Sequence, residues 1–543
     1  MQHQTRRNAA VERLKRGGYA LQNKPADHSS IASNLIKGSA VIILVSVVSK
    51  LTAFLAEAML AAYLGTTSQS DAYYMVLGLH QVLFPMLIVG IWKVFLPIYK
   101  EKLTLGMTRE ADTVTNKSLT FFSLIGILLV VILFLFADPI SRLIAPGFDA
   151  ETRKLFVTLV RISSPMYVFI LAAGVYSAIL QCHNRFFGSQ IREIASHIPT
   201  IVFLLLLYRT YGIKVLALAT MLGGLLRLLV ELPFVNWGYR FRPDFRFRGP
   251  DFSLLLHRLP ASLLSEGVTQ LNAFVDKAMA SLLPTGTISG LNYGQRLINV
   301  FSGLLSTAVS TALYPQMVEL AARKNYETLG RLVERIIRLF AVMMIPISLA
   351  CILFRRELVS VVFERGSFDA GSAALTSGIF ACYGFGIFFS ACNHVLTNLF
   401  YGSGDTKTPM AISAAHLVMN VVLNLILIRL WGANGLALAT SLSAAFSFGF
   451  LSFVSKKCIR MDQLRILITA AKSLAAACAA LFLSRLLVDC FSMRHYLVLL
   501  CSALISVPIY LAALKLFRVS ELNDIFGLVR KLFRRKKKNG TAE

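Results

Sequence analysis

Apolar runs of about 20 residues recur from end to end of this chain, divided by short polar segments, and each could cross roughly 30 Å of hydrocarbon as a helix. They predict spans at 32–50 continuing to 64, 72–97, 118–137, 155–180, 188–208, 215–237, 258–283, 288–314, 337–354, 371–400, 408–428, 434–453, 466–485 and 495–515. That is about fourteen transmembrane helices. The runs are continuous, whereas strands of a membrane barrel alternate over short segments. An all-α polytopic membrane protein is therefore expected.

Composition agrees. Of 543 residues, 56% are hydrophobic and only 15% charged, against about 25% charged in soluble domains. Several soluble domains are thereby excluded. Residues 1–30 are polar and basic and precede a long span without a small-residue cleavage pattern, so no removable signal peptide is expected.

A net charge of +27 would be compatible with nucleic acid if the charge were concentrated on one soluble face. Here it follows the membrane topology. An even number of spans puts both termini on one side, and the segments of that side hold most of the Lys and Arg. They include Arg6, Arg7, Arg13, Arg240, Arg242, Arg246, Arg248, Lys456, Lys457 and the tail cluster Arg534, Arg535, Lys536, Lys537 and Lys538. The bias predicts cytoplasmic termini. The tail is expected to lie against anionic lipid headgroups rather than nucleic acid. Eight cysteines show no paired metal-ligand spacing and read as apolar fillers.

The chain also repeats itself. VSKLTAFLAEAM at 48–59 overlays VTQLNAFVDKAM at 268–279 with six of twelve positions identical, and YGIKVLALAT at 211–220 matches WGANGLALAT at the same offset of 220. Equivalent spans are separated by an even number of helices, so the halves share one orientation. The predicted organisation is a basic N-terminal segment 1–31, an N-lobe 32–237 of six helices, a basic linker 238–257, a parallel-repeat C-lobe 258–453 of six helices, a two-helix appendage 454–516 and a basic tail 517–543. In the linker, the alternating Arg and Phe of YRFRPDFRFRGPDF place cations at phosphates and rings among headgroups.

Ionisable groups inside a bilayer are costly and mark cavities, pairs or interfaces. The candidates are Lys50, Glu57, Lys93, Arg161, Arg192, Glu193, Arg227 and Glu231 in the first half, and Glu266, Asp276, Lys277 and Arg296 in the second. Arg192 and Glu231 lie near predicted span ends, where long side chains snorkel. Arg296 lies well inside its span; its guanidinium suits phosphate oxygens, or it pairs with Asp276 or Glu266. Lys50 and Glu57 are two helical turns apart and face one way, lining a cleft or pairing with a neighbour. Asp71 is placed to cap the second span. Asp276, Asn420, Asn424 and Thr440 could hold a small hard cation or form a packing network. GSGDTKTP at 402–409 lacks the P-loop pattern and reads as a turn with Gly404 and Asp405. No catalytic constellation emerges.

Several stretches resemble the MurJ (MviN) lipid II flippase family of the MOP exporter superfamily: SDAYY at 70–74, VTQLNAFVDKAMASLLPTG at 268–286, NYGQRL at 292–297, VFERGSFD at 362–369, LFYGSGDTKTPM at 399–410, NVVLN at 420–424 and GLALATSLSA at 435–444. The resemblance implies a fourteen-helix bacterial inner-membrane protein that flips an undecaprenyl-diphosphate-linked peptidoglycan precursor outward, possessing a cationic cavity and a tail groove involving the last two helices. It implies cell-wall synthesis enzymes as neighbours and no organic cofactor. Arg296 matches the family's cavity arginine, Asp71 its conserved Asp, and Asp276, Asn420, Asn424, Thr440 and the backbone at Leu436 its sodium site. Two departures stand out. Ala56 occupies the place of a helix-1 arginine beside the retained Glu57, and Phe84 and Pro85 stand where the family carries an arginine pair. Lys50, Lys93 and Arg161 are the compensating cations to consider.

The leading expectation is a flippase working by alternating access. The rivals are a flippase for another polyprenyl-linked glycan (exopolysaccharide or teichoic acid type), a cation-coupled small-molecule exporter, a non-transporting scaffold and a membrane glycosyltransferase.

Overall fold

The computed structural model describes residues 28–235, 239–405, 407–456, 458–491 and 494–522, and all regular structure among them is helical. The basic N-terminal residues Arg6, Arg7 and Arg13 and the tail cluster around Arg534 lie outside the described residues.

The helices run α1 (His28–Leu64), α2 (Ser68–Thr104), α3 (Thr108–Leu135), α4 (Ala137–Ile144), α5 (Ala150–Ser163), α6 (Met166–Cys182), α7 (Phe186–Leu206), the single turn α8 (Tyr208–Tyr211) and α9 (Lys214–Val235). After the linker follow α10 (Pro250–Ala280), α11 (Thr287–Ala322), α12 (Tyr326–Leu353), α13 (Arg355–Phe363), α14 (Ala370–Gly384), α15 (Ile387–Gly402), α16 (Lys407–Ser455), α17 (Gln463–Asp489) and α18 (His495–Leu516).

Among the described residues, eight helices are long and apolar enough to cross a membrane, or ten if each of two bent pairs counts as one span. The pair α5 and α6 bends by 43°, at Ser164 and Pro165, where the proline ring removes a helical donor. The pair α14 and α15 bends by 44°. Three further long helices are α7, α10 and α11. They carry Arg192, Glu193, Glu266, Asp276, Lys277 and Arg296. Two predicted spans, 408–428 and 434–453, form one 49-residue helix, α16, broken at Gly432 with φ 54° and ψ −126°. That conformation is open to glycine and strained for other residues.

By Cα proximity the chain divides into two units that interleave along the sequence. Of the described residues, the first holds those within 28–59, 79–142 and 153–270, and the second those within 60–78, 143–152 and 271–522. In the first unit α9 packs along α6 and α7, and α3 along α6, around fully buried Tyr167, Leu171, Leu180 and Leu216. In the second unit α17 packs on α12 and α18. Phe354, Ala477, Leu481, Val488 and Val498 form one cluster there, and Val342, Ala476 and Leu514 belong to another. The C-terminal helix pair is thus continuous with the core of this unit.

The linker differs from its predicted form. α10 begins at Pro250, which leaves an extended strap ending at Gly249. Asn116 Oδ1 accepts from the Tyr239 hydroxyl (2.7 Å) and Arg242 N–H (3.0 Å), and Thr120 Oγ1 accepts from Asp244 N–H (3.1 Å). Phe247 and Phe252 pack on Phe121 of α3, with centroids 5.6 and 5.3 Å away. Only Phe241 and Phe245 remain exposed. Two of the four phenylalanines expected among headgroups, Phe247 and Phe252, therefore pack against α3 instead. The GSGDTKTP turn matches its reading: Asp405 Oδ1 accepts the N–H groups of Lys407 and Thr408 at 3.0 Å, capping α16. The Thr408 hydroxyl and backbone bonds hold the Asp405 carboxyl below its usual range. All eight cysteines are free.

Candidate functional site

The most developed polar site lies in the second unit, where α10 meets the two halves of α16. Asn420 and Asn424 are one turn apart on the first half and share a face, as do Leu436 and Thr440 on the second. The break at Gly432 separates these halves. Asp276 of α10 joins both. Asn424 Nδ2 donates to Asp276 Oδ1 at 2.6 Å and to Asn420 Oδ1 at 3.0 Å. Thr440 Oγ1 donates to Asp276 Oδ2 at 3.0 Å and lies 3.2 Å from the Leu436 carbonyl oxygen. Asp276, Asn420, Asn424 and Leu436 are all buried.

One bond is missing from this network. Asn424 Oδ1 is buried without a hydrogen-bond donor among the described residues. The donor set comprises one carboxylate, two amide oxygens, a hydroxyl and a backbone carbonyl, which is hard-oxygen chemistry with a single negative charge. It fits a monovalent hard cation better than Ca²⁺ or Mg²⁺, whose sites recruit more carboxylates, or transition metals, which prefer nitrogen and sulfur. No three His, Cys, Asp or Glu side chains gather as a metal site among the described residues.

The hairpin Leu60–Gly78 is built into the same unit and contains Asp71, whose role differs from the expected one. Its carboxylate caps α11 rather than its own helix α2. Oδ2 accepts from Gly286 N–H at 2.6 Å, and Oδ1 accepts from Ser289 N–H and the Ser289 hydroxyl, each at 2.8 Å. Tyr293 donates to the Gly65 carbonyl at 3.1 Å, and Ser367 N–H donates to the Ala62 carbonyl at 2.7 Å. The backbones approach so closely that a Cβ on Gly65 would sit 2.3 Å from the Ser367 oxygen. Loop ends 200 or more residues apart in sequence supply these partners, which is why a reading of neighbouring residues assigned the cap to α2.

Arg296 lies half-buried on α11, beyond that cap. The acids considered as its partners have other bonds: Asp276 those above, and Glu266 an ion pair with Lys93, itself about half exposed. Lys50 is exposed while Glu57 on the same helix is buried, so their seven-residue spacing does not give them one environment. Arg161 Nε donates to the Phe134 carbonyl at 3.0 Å and its guanidinium stacks 5.0 Å from the Phe134 ring. That contact anchors α5 to the end of α3.

Arg192 and Glu231 do not snorkel. Glu231 is fully buried and the Arg192 side chain only 11% exposed, and they pair at 3.1 Å. Glu193 and Arg227 pair beside them at 2.8 Å. The sequence carried a signal for this set, since Arg227 and Glu231 are one turn apart on one span and Arg192 and Glu193 adjacent on the preceding one. Its burial depends on the close packing of α7 against α9.

These elements define a multi-pass helical membrane protein: long apolar helices, a broken helix around a buried carboxylate and ionisable side chains within the membrane-spanning segments. Solved structures agree in shape. A lipid II flippase MurJ in an inward-closed conformation superposes with TM-score 0.77 at 23% identity, over 88% of this chain and 98% of that one. An inward-facing multidrug resistance MATE transporter of the MOP superfamily does so with TM-score 0.65 at 13% identity, over 77% and 98%. The chain belongs to the lipid II flippase MurJ family, whose model matches residues 60–507. Similar relatives include proteins described as probable lipid II flippase MurJ from Thermotoga maritima, 26% identical over 88% of this chain and 95% of the relative, and from Rickettsia prowazekii, 25% identical over 78% and 84%. It is a multi-pass bacterial membrane transporter, not a catalytic enzyme.

Proposed function

We propose that this chain moves lipid II, an undecaprenyl-diphosphate-linked peptidoglycan precursor, from the inner to the outer leaflet by alternating access. The observation that carries the reading is the family match across residues 60–507, a segment that includes Arg296 and the whole Asp276 site. In this reading the bent pairs each cross once, the three polar helices α7, α10 and α11 cross as well, and α16 crosses twice about Gly432. Fourteen crossings result, arranged as two parallel six-helix lobes and a C-terminal pair, with both termini cytoplasmic. Arg296 receives the diphosphate, and exposed Lys50 and half-exposed Lys93 with its partner Glu266 add to the polar path. The prenyl chain stays in lipid, since exposing it to water would cost about 0.8 kcal/mol per CH₂. The Asp276 oxygen cage takes Na⁺ as coupling ion; its unsatisfied Asn424 oxygen supports that assignment, and a carboxylate neutralised by a cation is cheaper to bury than a bare one.

Depletion of the protein in its native host tests the reading. Lipid II should accumulate in the inner leaflet, and wild type should clear it. Arg296→Ala should reduce clearance by about tenfold or more, with Arg296→Lys intermediate because charge survives and the planar fork does not. Accumulation of a different polyprenyl-linked glycan would reassign the substrate, a result the buried Ala56 and the Phe84–Pro85 pair make worth checking. If no lipid-linked glycan accumulated, the flippase reading would be wrong.

A further inference from the structure

A carboxylate bridges two guanidinium groups inside the first unit. Glu193 Oε1 accepts from Arg192 Nε at 3.3 Å, and Glu193 Oε2 accepts from Arg227 Nη2 at 2.8 Å. Arg192 Nη1 also donates to Glu231 Oε1 at 3.1 Å and to Ser177 Oγ at 2.6 Å, and Arg227 Nη2 lies 3.3 Å from Ser196 Oγ. Aromatic rings cover both cations, Phe84 at 4.7 Å from Arg227 and Trp92 at 5.5 Å from Arg192.

Two features set this apart from a closed structural pair. Arg227 Nη1 is buried with no hydrogen-bond partner among the described residues, although an unmet charged donor in the interior is destabilising. The four members also differ sharply in exposure: 36% of the Glu193 side chain is open, against 16% of Arg227, 11% of Arg192 and none of Glu231. Glu231 holds Arg192 from the buried side, and Glu193 is the most exposed member. Without it, two guanidinium groups face a gap that had been spanned by two acidic oxygens. Arginine forks match phosphate oxygens with parallel N–H donors. A diphosphate carries more charge than the carboxylate it would replace and reaches two cations at once.

We propose that Arg192 and Arg227 form a second diphosphate-binding site, kept closed by Glu193 until the diphosphate of the substrate displaces it. This inference rests on the flippase reading and adds to it a binding step in the first unit, separate from Arg296. Glu193 acts as an internal competitor; it blocks binding of other weak anions and keeps the two cations from repelling each other while no ligand is present.

The test measures binding of undecaprenyl diphosphate to the full-length protein in detergent, with phosphatidylglycerol vesicles as a second probe. Glu193→Gln keeps the side-chain shape and removes the competing charge, so it should tighten diphosphate binding about tenfold, and Arg227→Lys should weaken it by a similar factor. A structural ion network predicts the reverse pattern: both variants lower the melting temperature and neither changes affinity. That result would overturn the site while leaving the flippase reading intact. Equal tightening toward phosphatidylglycerol would overturn the assignment to diphosphate. If wild type failed to bind the probe at all, the second diphosphate site would be overturned, while the flippase reading would be decided by the depletion experiment. Arg296→Ala in parallel should weaken binding in both the wild-type and Glu193→Gln backgrounds, as expected of two separate contacts.

Discussion

Replacing Asp71 with Ala is expected to lower the melting temperature of the solubilised protein by several degrees and to impair growth when it is the sole copy. The reason is the number of bonds converging on one buried carboxylate. It is 5% exposed and accepts from two backbone N–H groups at the start of α11 and from a serine hydroxyl. Removing it leaves those donors without an acceptor at a helix end, where the dipole also favours negative charge. Hydrogen bonds to a charged group contribute about 1.5–3 kcal/mol each, and three that share an acceptor are not additive, so a net loss of about 3 kcal/mol is reasonable. Asp71→Asn retains an acceptor oxygen but turns an amide N–H₂ toward a backbone donor, so it should fall between Ala and wild type. Ser289→Ala removes only the hydroxyl bond and should cost least. An Asp71→Ala protein melting within a degree of wild type would show that the cap contributes nothing.

Much of this molecule was legible in the order of its residues. Continuous apolar runs identify helices because a chain in lipid must satisfy its own backbone, and helices occur at every predicted span. Their relations were less legible. The bends at Pro165 and at Phe385–Gly386 and the glycine break at 432 preserve an apolar pattern while redirecting the chain, so hydropathy alone does not register them. Asp71 and Ser289 are 218 residues apart, and nothing local to either announces the other. Charge alone groups Arg161 with the compensating cations, yet a carbonyl and a ring at the end of α3 occupy it. The guanidinium of Arg227 lies against the Phe84 ring, which charge and position along a span do not reveal, since neither tells which face a side chain takes.

Sodium is expected to stabilise the wild-type protein against heat relative to potassium at equal ionic strength, and Asp276→Asn to abolish the difference. At a sodium concentration about 10-fold above the dissociation constant, linkage gives about 1.4 kcal/mol, and about 2.7 kcal/mol at 100-fold. Asp276 supplies the only negative charge in the proposed ligand set, so an isosteric amide keeps the hydrogen-bonding shape and loses most of the attraction. Asn424→Ala should weaken the sodium effect in part, since it removes the buried oxygen that has no donor, and Thr440→Ala should act likewise. Transport should follow the same order, with Asp276→Asn the most severe. The internal repeat supplies a control. At the offset of 220, Asp276 corresponds to Ala56 and Thr440 to Thr220, so the first half retains the hydroxyl and lacks the carboxylate. Thr220→Ala should therefore leave the sodium shift unchanged. A sodium shift that survives Asp276→Asn in full would place the ion elsewhere and leave the Asp276–Asn424–Thr440 network as packing. One that disappears on Thr220→Ala would mean that the two halves share the ion and that the single-charge cage is the wrong unit of description.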